Sequence, residues 1–172
     1  SGLTTTGATV LTGLDSTPRG ILLWRALLQW LGGVGGIMMA LSILPFLKIG
    51  GMQLFATELS EGEKAMPRTT QLALVVGGIY IMLTGLNAVA YRLAGLGVFD
   101  SVAHAMTTIS TGGFSTHDSS FSHYNSARAE IVAIAFMIAG SLPFIIYLKA
   151  LRGNLRPLFT DTQVRFFLSI IL

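Results

Sequence analysis

Cysteine is absent from this chain, which excludes a disulfide framework and any thiolate-ligated metal. Charge is nearly as scarce. Asp, Glu, Lys and Arg make up 11% of the residues, less than half the share of about a quarter usual in a soluble domain. So few charges cannot cover a solvated surface, while 52% of the residues are hydrophobic and the mean hydropathy is +0.68. The solvent that suits this composition is lipid. Only three histidines occur, at positions 104, 117 and 123. Read along the chain, they are too few and too scattered for a metal centre. The eleven Lys and Arg residues give a net charge of +3 and a pI near 9.6. They form no continuous basic patch, which argues against nucleic acid as a partner. The chain does not open on Met and shows no signal peptide. It begins inside a polar Thr/Gly motif and stops within an apolar run, so a fragment of a longer polytopic protein is expected.

Four apolar stretches are present. A membrane-spanning helix needs about 20 mainly apolar residues. Ile21 to Leu47 is long enough to tilt or break, Leu72 to Tyr91 fits, Ile131 to Leu148 is slightly short, and a fourth run begins near Val164. A further segment, Val98 to Ile109, is 12 residues long and mildly apolar. It is too short to span, and its length suits a re-entrant half-helix. Phe99, Val102, Ala103 and Met106 recur in it at helical spacing, and Asp100 or Ser101 is placed to cap its start.

The remaining signals are local. Glu58 to Arg68 reads as a solvated connector. Gly32 and Gly36, four apart, suit close helix packing, and Pro45 and Pro143 are expected to bend or end their helices. Arg25 and Glu130 lie near the outer starts of spans, where snorkelling or pairing is expected. Asp15, Asp100 and Asp118 share a side with the Thr/Gly motifs and would enrich cations there. Asp100 and His104, one turn apart, lack further ligands and read as capping and packing.

Alternating spans put Lys48, Lys64, Arg68, Lys149, Arg152, Arg156 and Arg165 on one side, and Arg19, Arg25, Arg92 and Arg128 on the other. The positive-inside rule makes the first side cytoplasmic, so both Thr/Gly motifs face outward.

The chain also repeats itself. The order Thr/Gly motif, polar loop, Arg, apolar span, Leu-Pro-Phe occurs twice: Thr6-Gly7, Arg25, Leu44-Pro45-Phe46, and then Thr111-Gly112, Arg128, Leu142-Pro143-Phe144. The step from Gly to Arg is 18 residues in the first copy and 16 in the second. The expected fold is therefore an all-α membrane protein of pseudo-repeated helix, pore half-helix, filter loop and helix units around a central ion pore. Its segments are 1–47 (filter loop and second helix of one repeat), 48–70 (cytoplasmic connector), 71–150 (a second repeat) and 151–172 (connector and start of a third).

The motif has a chemical use. A dehydrated K+ needs oxygen ligands in place of water, and backbone carbonyls supply them in selectivity filters. Glycine permits the backbone conformations this requires, and threonine adds a hydroxyl. A half-helix leading into the second motif would aim its negative dipole end at the ion. Thr5, Thr6, Gly7, Ser110, Thr111 and Gly112 are the candidate K+ ligands through their carbonyls. No catalytic residues and no cofactor are expected, K+ being the transported ion. The alternative, a polytopic carrier of another substrate or an intramembrane enzyme, would need carboxylate or histidine clusters near the midplane. The central spans carry no Asp, Glu, Lys or His.

Four segments also carry a family resemblance: Thr4-Thr5-Thr6-Gly7-Ala8-Thr9, Trp30-Leu31-Gly32-Gly33, Ile43-Leu44-Pro45-Phe46-Leu47, and Ile109 through Asp118 in the order Ile-Ser-Thr-Gly-Gly-Phe-Ser-Thr-His-Asp. With them the chain resembles the Trk/Ktr/HKT superfamily of potassium transporters, most closely its bacterial TrkH-type uptake subunits. The resemblance implies four repeats around one pore. This chain would hold the end of the first, all of the second and the opening of the third, while the family's gating loop belongs to the third. It implies that Gly7 and Gly112 are filter glycines. A serine at the first filter glycine goes with sodium permeation in the superfamily, so Gly7 implies potassium. It further implies a multi-pass protein of the bacterial inner membrane surrounded by lipid, a homodimer, and a cytosolic nucleotide-binding regulatory subunit.

Overall fold

A computed structural model describes residues 1–43, 68–156 and 160–171. Every regular element among them is helical: α1 (Arg19–Ile43), α2 (Arg68–Leu93), α3 (Val98–Ile109), α4 (Ala127–Ser141), α5 (Phe144–Leu151) and α6 (Thr162–Ile171), with short 3-10 turns at Leu14–Ser16 and Ser120–Tyr124. Pro45 and the connector from Lys48 to Pro67 lie outside the described residues.

The helix limits follow from local chemistry. Pro18 stands at the entrance of α1, where its missing N–H leaves nothing unpaired, and Thr17 before it is extended, with ψ 136°. α2 starts at Arg68, four residues earlier than the apolar run, and ends at Leu93, two residues before Gly95, whose φ of +106° reverses the chain. α3 has the limits its length and composition predict. The third apolar run is not one helix. It begins earlier, at Ala127, and breaks at Leu142-Pro143, because proline has no N–H to donate and disfavours helix at the residue before it. Two stretches, Arg19–Met39 and Ala73–Leu93, are long and apolar enough to cross a membrane, 21 residues each.

The chain divides into two compact units. One comprises Ser1–Ala40 with Tyr80–Ser141, and the other Leu41–Ile79 with Leu142–Leu172. The first carries both Thr/Gly loops. Its core gathers Tyr91 and Leu96 from the end of α2, Ala105 of α3, and Ala129 and Ala133 of α4. The buried face of α3 is small and polar: Ser101, Ala103, His104, Ala105, Thr107, Thr108 and Ile109. Of the expected apolar set, Val102 is exposed and Phe99 and Met106 are half-buried. The expected cap is also absent: Gly97 occupies that position without a side-chain bond, and the Ser101 hydroxyl donates back to the Gly97 carbonyl at 2.8 Å.

Glycines let the helices meet the loops. A Cβ on Gly32 would collide with the Leu3 carbonyl, and one on Gly140 would lie 2.6 Å from the Ile109 carbonyl oxygen. Gly33 makes room for the Tyr80 hydroxyl, which donates to the Trp30 carbonyl at 3.0 Å. Gly36 has nothing within 4 Å of a built Cβ. The close packing therefore rests on Gly32 and Gly33, and the Gly32/Gly36 pair does not form a contact stripe in this unit. Replacing Gly140 by valine in the full-length protein should cost about 1–3 kcal/mol through overpacking against α3. Thermal unfolding in detergent checks this; an unchanged midpoint contradicts the packing.

Candidate functional site

The two Thr/Gly loops have the same backbone. Thr5 N–H donates to Gly2 O and Thr6 N–H to Ser1 O, both at 3.0 Å; Thr111 N–H donates to Thr108 O and Gly112 N–H to Thr107 O, both at 2.9 Å. The dihedral angles match as well. φ is +52° at Thr5 and +54° at Thr111, and +77° at both Gly7 and Gly113. The residues between, Thr6 and Gly112, are not left-handed. Hydrogen bonds and angles thus repeat in one register, which pairs Gly7 with Gly113. Order along the chain pairs Gly7 with Gly112. Two glycines in a row leave that register undetermined by composition, and only the backbone resolves it.

The threonines are held against their preference. A paired set of hydrogen bonds of this kind closes a helix C-terminus, with the left-handed residue usually glycine. This chain follows that habit elsewhere: Gly95 after α2 and Gly153 after α5 are left-handed, at +106° and +89°. After α3 the position is Thr111, and in the first loop it is Thr5. For a β-branched residue this conformation is an outlier, costing on the order of 1–3 kcal/mol, and such strain clusters at functional sites.

The loops touch. A Cβ on Gly7 would overlap the Gly112 carbonyl oxygen, so the site brings the first motif directly against the second. Ser110 and Gly112 are buried, Thr5 and Gly7 half-buried, and Thr6 and Thr111 exposed. Beside them opens a cavity of about 280 Å³, lined by Thr5, Ser110 and Thr111 together with Gly32, Gly33, Gly36 and Gly140.

Side chains of α1 hold this arrangement. Gln29 is fully buried, and its Oε1 accepts the Phe114 N–H at 3.0 Å. A Cβ on Gly112 would stand 2.6 Å from Gln29 Nε2, so glycine is needed there for the approach of the carboxamide. Arg25, one turn earlier, is 7% exposed. Its guanidinium donates to Thr9 Oγ1 at 3.1 Å and to the Ser115 carbonyl at 3.5 Å, and sits 4.4 Å from the centre of the Phe114 ring. It therefore faces inward and bridges both loops, where snorkelling or pairing was expected. Glu130 is exposed. Nothing in the sequence pattern separates Gln29 from an ordinary polar residue in a span.

The half-helix holds its own loop. His104 Nδ1–H donates to the Asp100 carbonyl at 2.9 Å, so Nε2 accepts from the Ser115 hydroxyl at 3.1 Å. Ser115 Oγ in turn accepts the His117 N–H at 3.1 Å. The three aspartates are all engaged. Asp118 accepts the Leu14 N–H at 3.0 Å, Asp100 accepts the Thr116 hydroxyl at 2.7 Å, and Asp15 pairs with His117. That pairing lowers the Asp15 carboxyl below its usual range. Burial pushes the Tyr124 phenol, beside Thr116, up to about 12.

Against known proteins, the model of the family described as TrkH, cation transport protein, matches residues 1–171. The chain belongs to the TrkH family of cation transport proteins. The potassium uptake protein TrkI of Halomonas elongata is 45% identical over 174 residues, covering 100% of this chain and 35% of the relative. TrkH of Escherichia coli K12 is 40% identical, covering 99% and 36%. The crystal structure of the potassium transporter TrkH from Vibrio parahaemolyticus superposes with a TM-score of 0.85 at 38% identity, over 98% of this chain and 34% of that one. The chain thus spans about a third of the length of the relatives it matches. The relatives are named as potassium uptake proteins and the matched structure as a potassium transporter, and every regular element among the described residues of this chain is helical, as the sequence pattern leads one to expect.

Two predictions follow from the loop geometry, both read in the full-length protein. Gln29→Leu strips the buried Phe114 N–H of its acceptor and should cost about 1–3 kcal/mol, seen as a lower unfolding midpoint; Gln29→Glu, which keeps an acceptor oxygen, should recover part of it. Thr111→Gly relieves the strained angle and should raise stability by about 1 kcal/mol. A fall in midpoint for Thr111→Gly would show that the threonine side chain, and not its backbone, governs that turn.

Proposed function

We propose that this chain supplies two adjacent walls of a potassium-uptake pore, in which the carbonyls of Thr5, Thr6, Gly7, Ser110, Thr111 and Gly112 replace the water around K+. One observation carries the reading: the same strained turn, left-handed at its first and third residues, is built twice and set side by side. When the hand of the backbone alternates, successive peptide planes turn the same way, so that N–H groups line one side of the chain and carbonyls the other. A row of carbonyls is what a dehydrated K+ requires. Irregular backbone of this kind is tolerated at membrane depth where it lines a cavity or is buried in protein; here one face of each loop is buried and the other open. The C-terminal end of α3 adds the negative pole of its dipole.

In this reading Gly113 joins Gly7 as the glycine of its wall, and Gly112 serves both as a carbonyl donor and as the point where Gln29 and Gly7 press in. Segments 1–47 and 71–150 are the end of one repeat and the whole of the next, with connectors at 48–70 and 151–172. Four repeats would complete the pore in the full-length protein. The names of the relatives, each a Trk system potassium uptake protein, support K+ as the ion. The whole protein sits in lipid in the bacterial inner membrane, its loops outward in keeping with the Lys and Arg bias. It acts as a homodimer with a cytosolic nucleotide-binding regulator on the face that carries Lys149, Arg152 and Arg156.

The test is ion discrimination in the full-length transporter. Gly113→Ser, where a Cβ meets nothing within 4 Å, should retain uptake while K+ over Na+ selectivity falls about tenfold, ~1.4 kcal/mol, and Gly7→Ser, whose Cβ would meet the Gly112 carbonyl, should lower uptake as well as selectivity. Isotope flux into cells or vesicles measures it. Unaltered discrimination in both Gly7→Ser and Gly113→Ser would remove these loops from the filter.

A further inference from the structure

One cluster of metal-ligating side chains has no part in the pore reading. Asp15 lies in the 3-10 turn that follows the first loop, and His117 and His123 lie in the segment that follows the second. One ligand atom from each stands within 4.8 Å of the other two. His117 Nδ1 shares a hydrogen bond with an Asp15 carboxylate oxygen. The His117 and His123 imidazoles stack, with centres 3.5 Å apart and planes 4° from parallel. Along the chain the histidines look scattered. The fold closes a separation of 102 residues between Asp15 and His117.

We propose that Asp15, His117 and His123 form an external site for a divalent transition metal ion of the zinc or nickel kind, joining the segment behind one loop to the segment behind the other. The donor set decides the ion. Two imidazole nitrogens and a carboxylate oxygen suit Zn2+, Ni2+ or Cu2+, whereas Mg2+ and Ca2+ take oxygen throughout. Three protein ligands and a water complete a tetrahedral zinc site. With bonds of about 2.0–2.1 Å its donor atoms stand roughly 3.4 Å apart, so the hydrogen-bonded Asp15–His117 pair must open and the widest pair close in from within 4.8 Å. Asp15 and His123 are exposed, and rotation of Asp15 with a tilt of His123 out of the stack achieves this without moving the backbone.

His117 is the fixed member. Its N–H donates to Ser115 Oγ, and Tyr124 packs against its ring at 5.5 Å, nearly perpendicular. The metal takes the place of the proton between Asp15 and Nδ1, and the neutral imidazole then carries its proton on Nε2. Nε2 then faces Asp100 Oδ1, 3.8 Å away. A carboxylate behind a ligating imidazole orients the ring and raises its basicity, and Asp100 is held for that task by the Thr116 hydroxyl.

The experiment is calorimetric titration of the tag-free, full-length protein in detergent with ZnCl2, and separately with MgCl2. The wild type should bind one more Zn2+ per subunit than His123→Ala does, or bind it at least about tenfold more tightly, and Mg2+ should not compete. Zn2+ should also raise the unfolding midpoint of the wild type and leave that of His123→Ala unmoved. His123 is exposed, so this variant carries the test even where Asp15→Asn fails to fold. Equal zinc binding by wild type and His123→Ala, or none by the wild type, overturns the site.

Discussion

Two side chains one turn apart on α1, Arg25 and Gln29, hold the loop after α3 against the loop before α1. The constraint behind them is general. Backbone that leaves a helix at membrane depth must find its hydrogen-bond partners within the protein. Here the Phe114 N–H finds Gln29, the Ser115 carbonyl finds Arg25, and the Ser115 hydroxyl finds His104. Each partner comes from a regular helix, α1 or α3, which fixes where it stands. The loops can then present one open face while the other is fully engaged.

Close approach is the second half of the same design. Gly112 yields to the Gln29 carboxamide, Gly7 to the Gly112 carbonyl, and Gly32 and Gly140 to the ends of the two turns at Leu3 and Ile109. Among the described residues the β-branched ones held left-handed are Thr5 and Thr111, where Gly95 and Gly153 serve the same geometry freely. That, among the described residues, Gly95 and Gly153 take this position in two such turns and Thr5 and Thr111 in two others marks the threonine turns as special. A threonine held left-handed by the paired hydrogen bonds of its turn is a rigid way to fix carbonyl direction, which is what the proposed filter demands.

Much of this was legible along the chain. The 12 residues of α3 are visible because their apolar run is too short to span and is bounded by Gly97 and the Ser-Thr-Gly-Gly sequence. The repeat is visible because its punctuation, Thr-Gly, Arg and Leu-Pro-Phe, recurs in order. What stays hidden is whatever depends on distant pairing. Gly112 and Gly113 are equivalent in composition, so the register of the second turn emerges only from its hydrogen bonds. Arg25 near a span start looks like an interfacial residue until Thr9 and Ser115 are seen around it. Asp15 and the two histidines are ordinary loop residues until the loops meet. The break at Pro143, by contrast, is a local effect that the sequence does announce.

A filter built from these loops requires that both offer carbonyls to one ion. Crystals of the full-length protein grown or soaked with Rb+ or Tl+, examined by anomalous diffraction, address this directly. An ion peak flanked by the carbonyls of Thr5 and Thr6 from one loop and of Thr111 and Gly112 from the other is the predicted result. Ordered ions found only elsewhere, with these carbonyls turned into the protein, would contradict it.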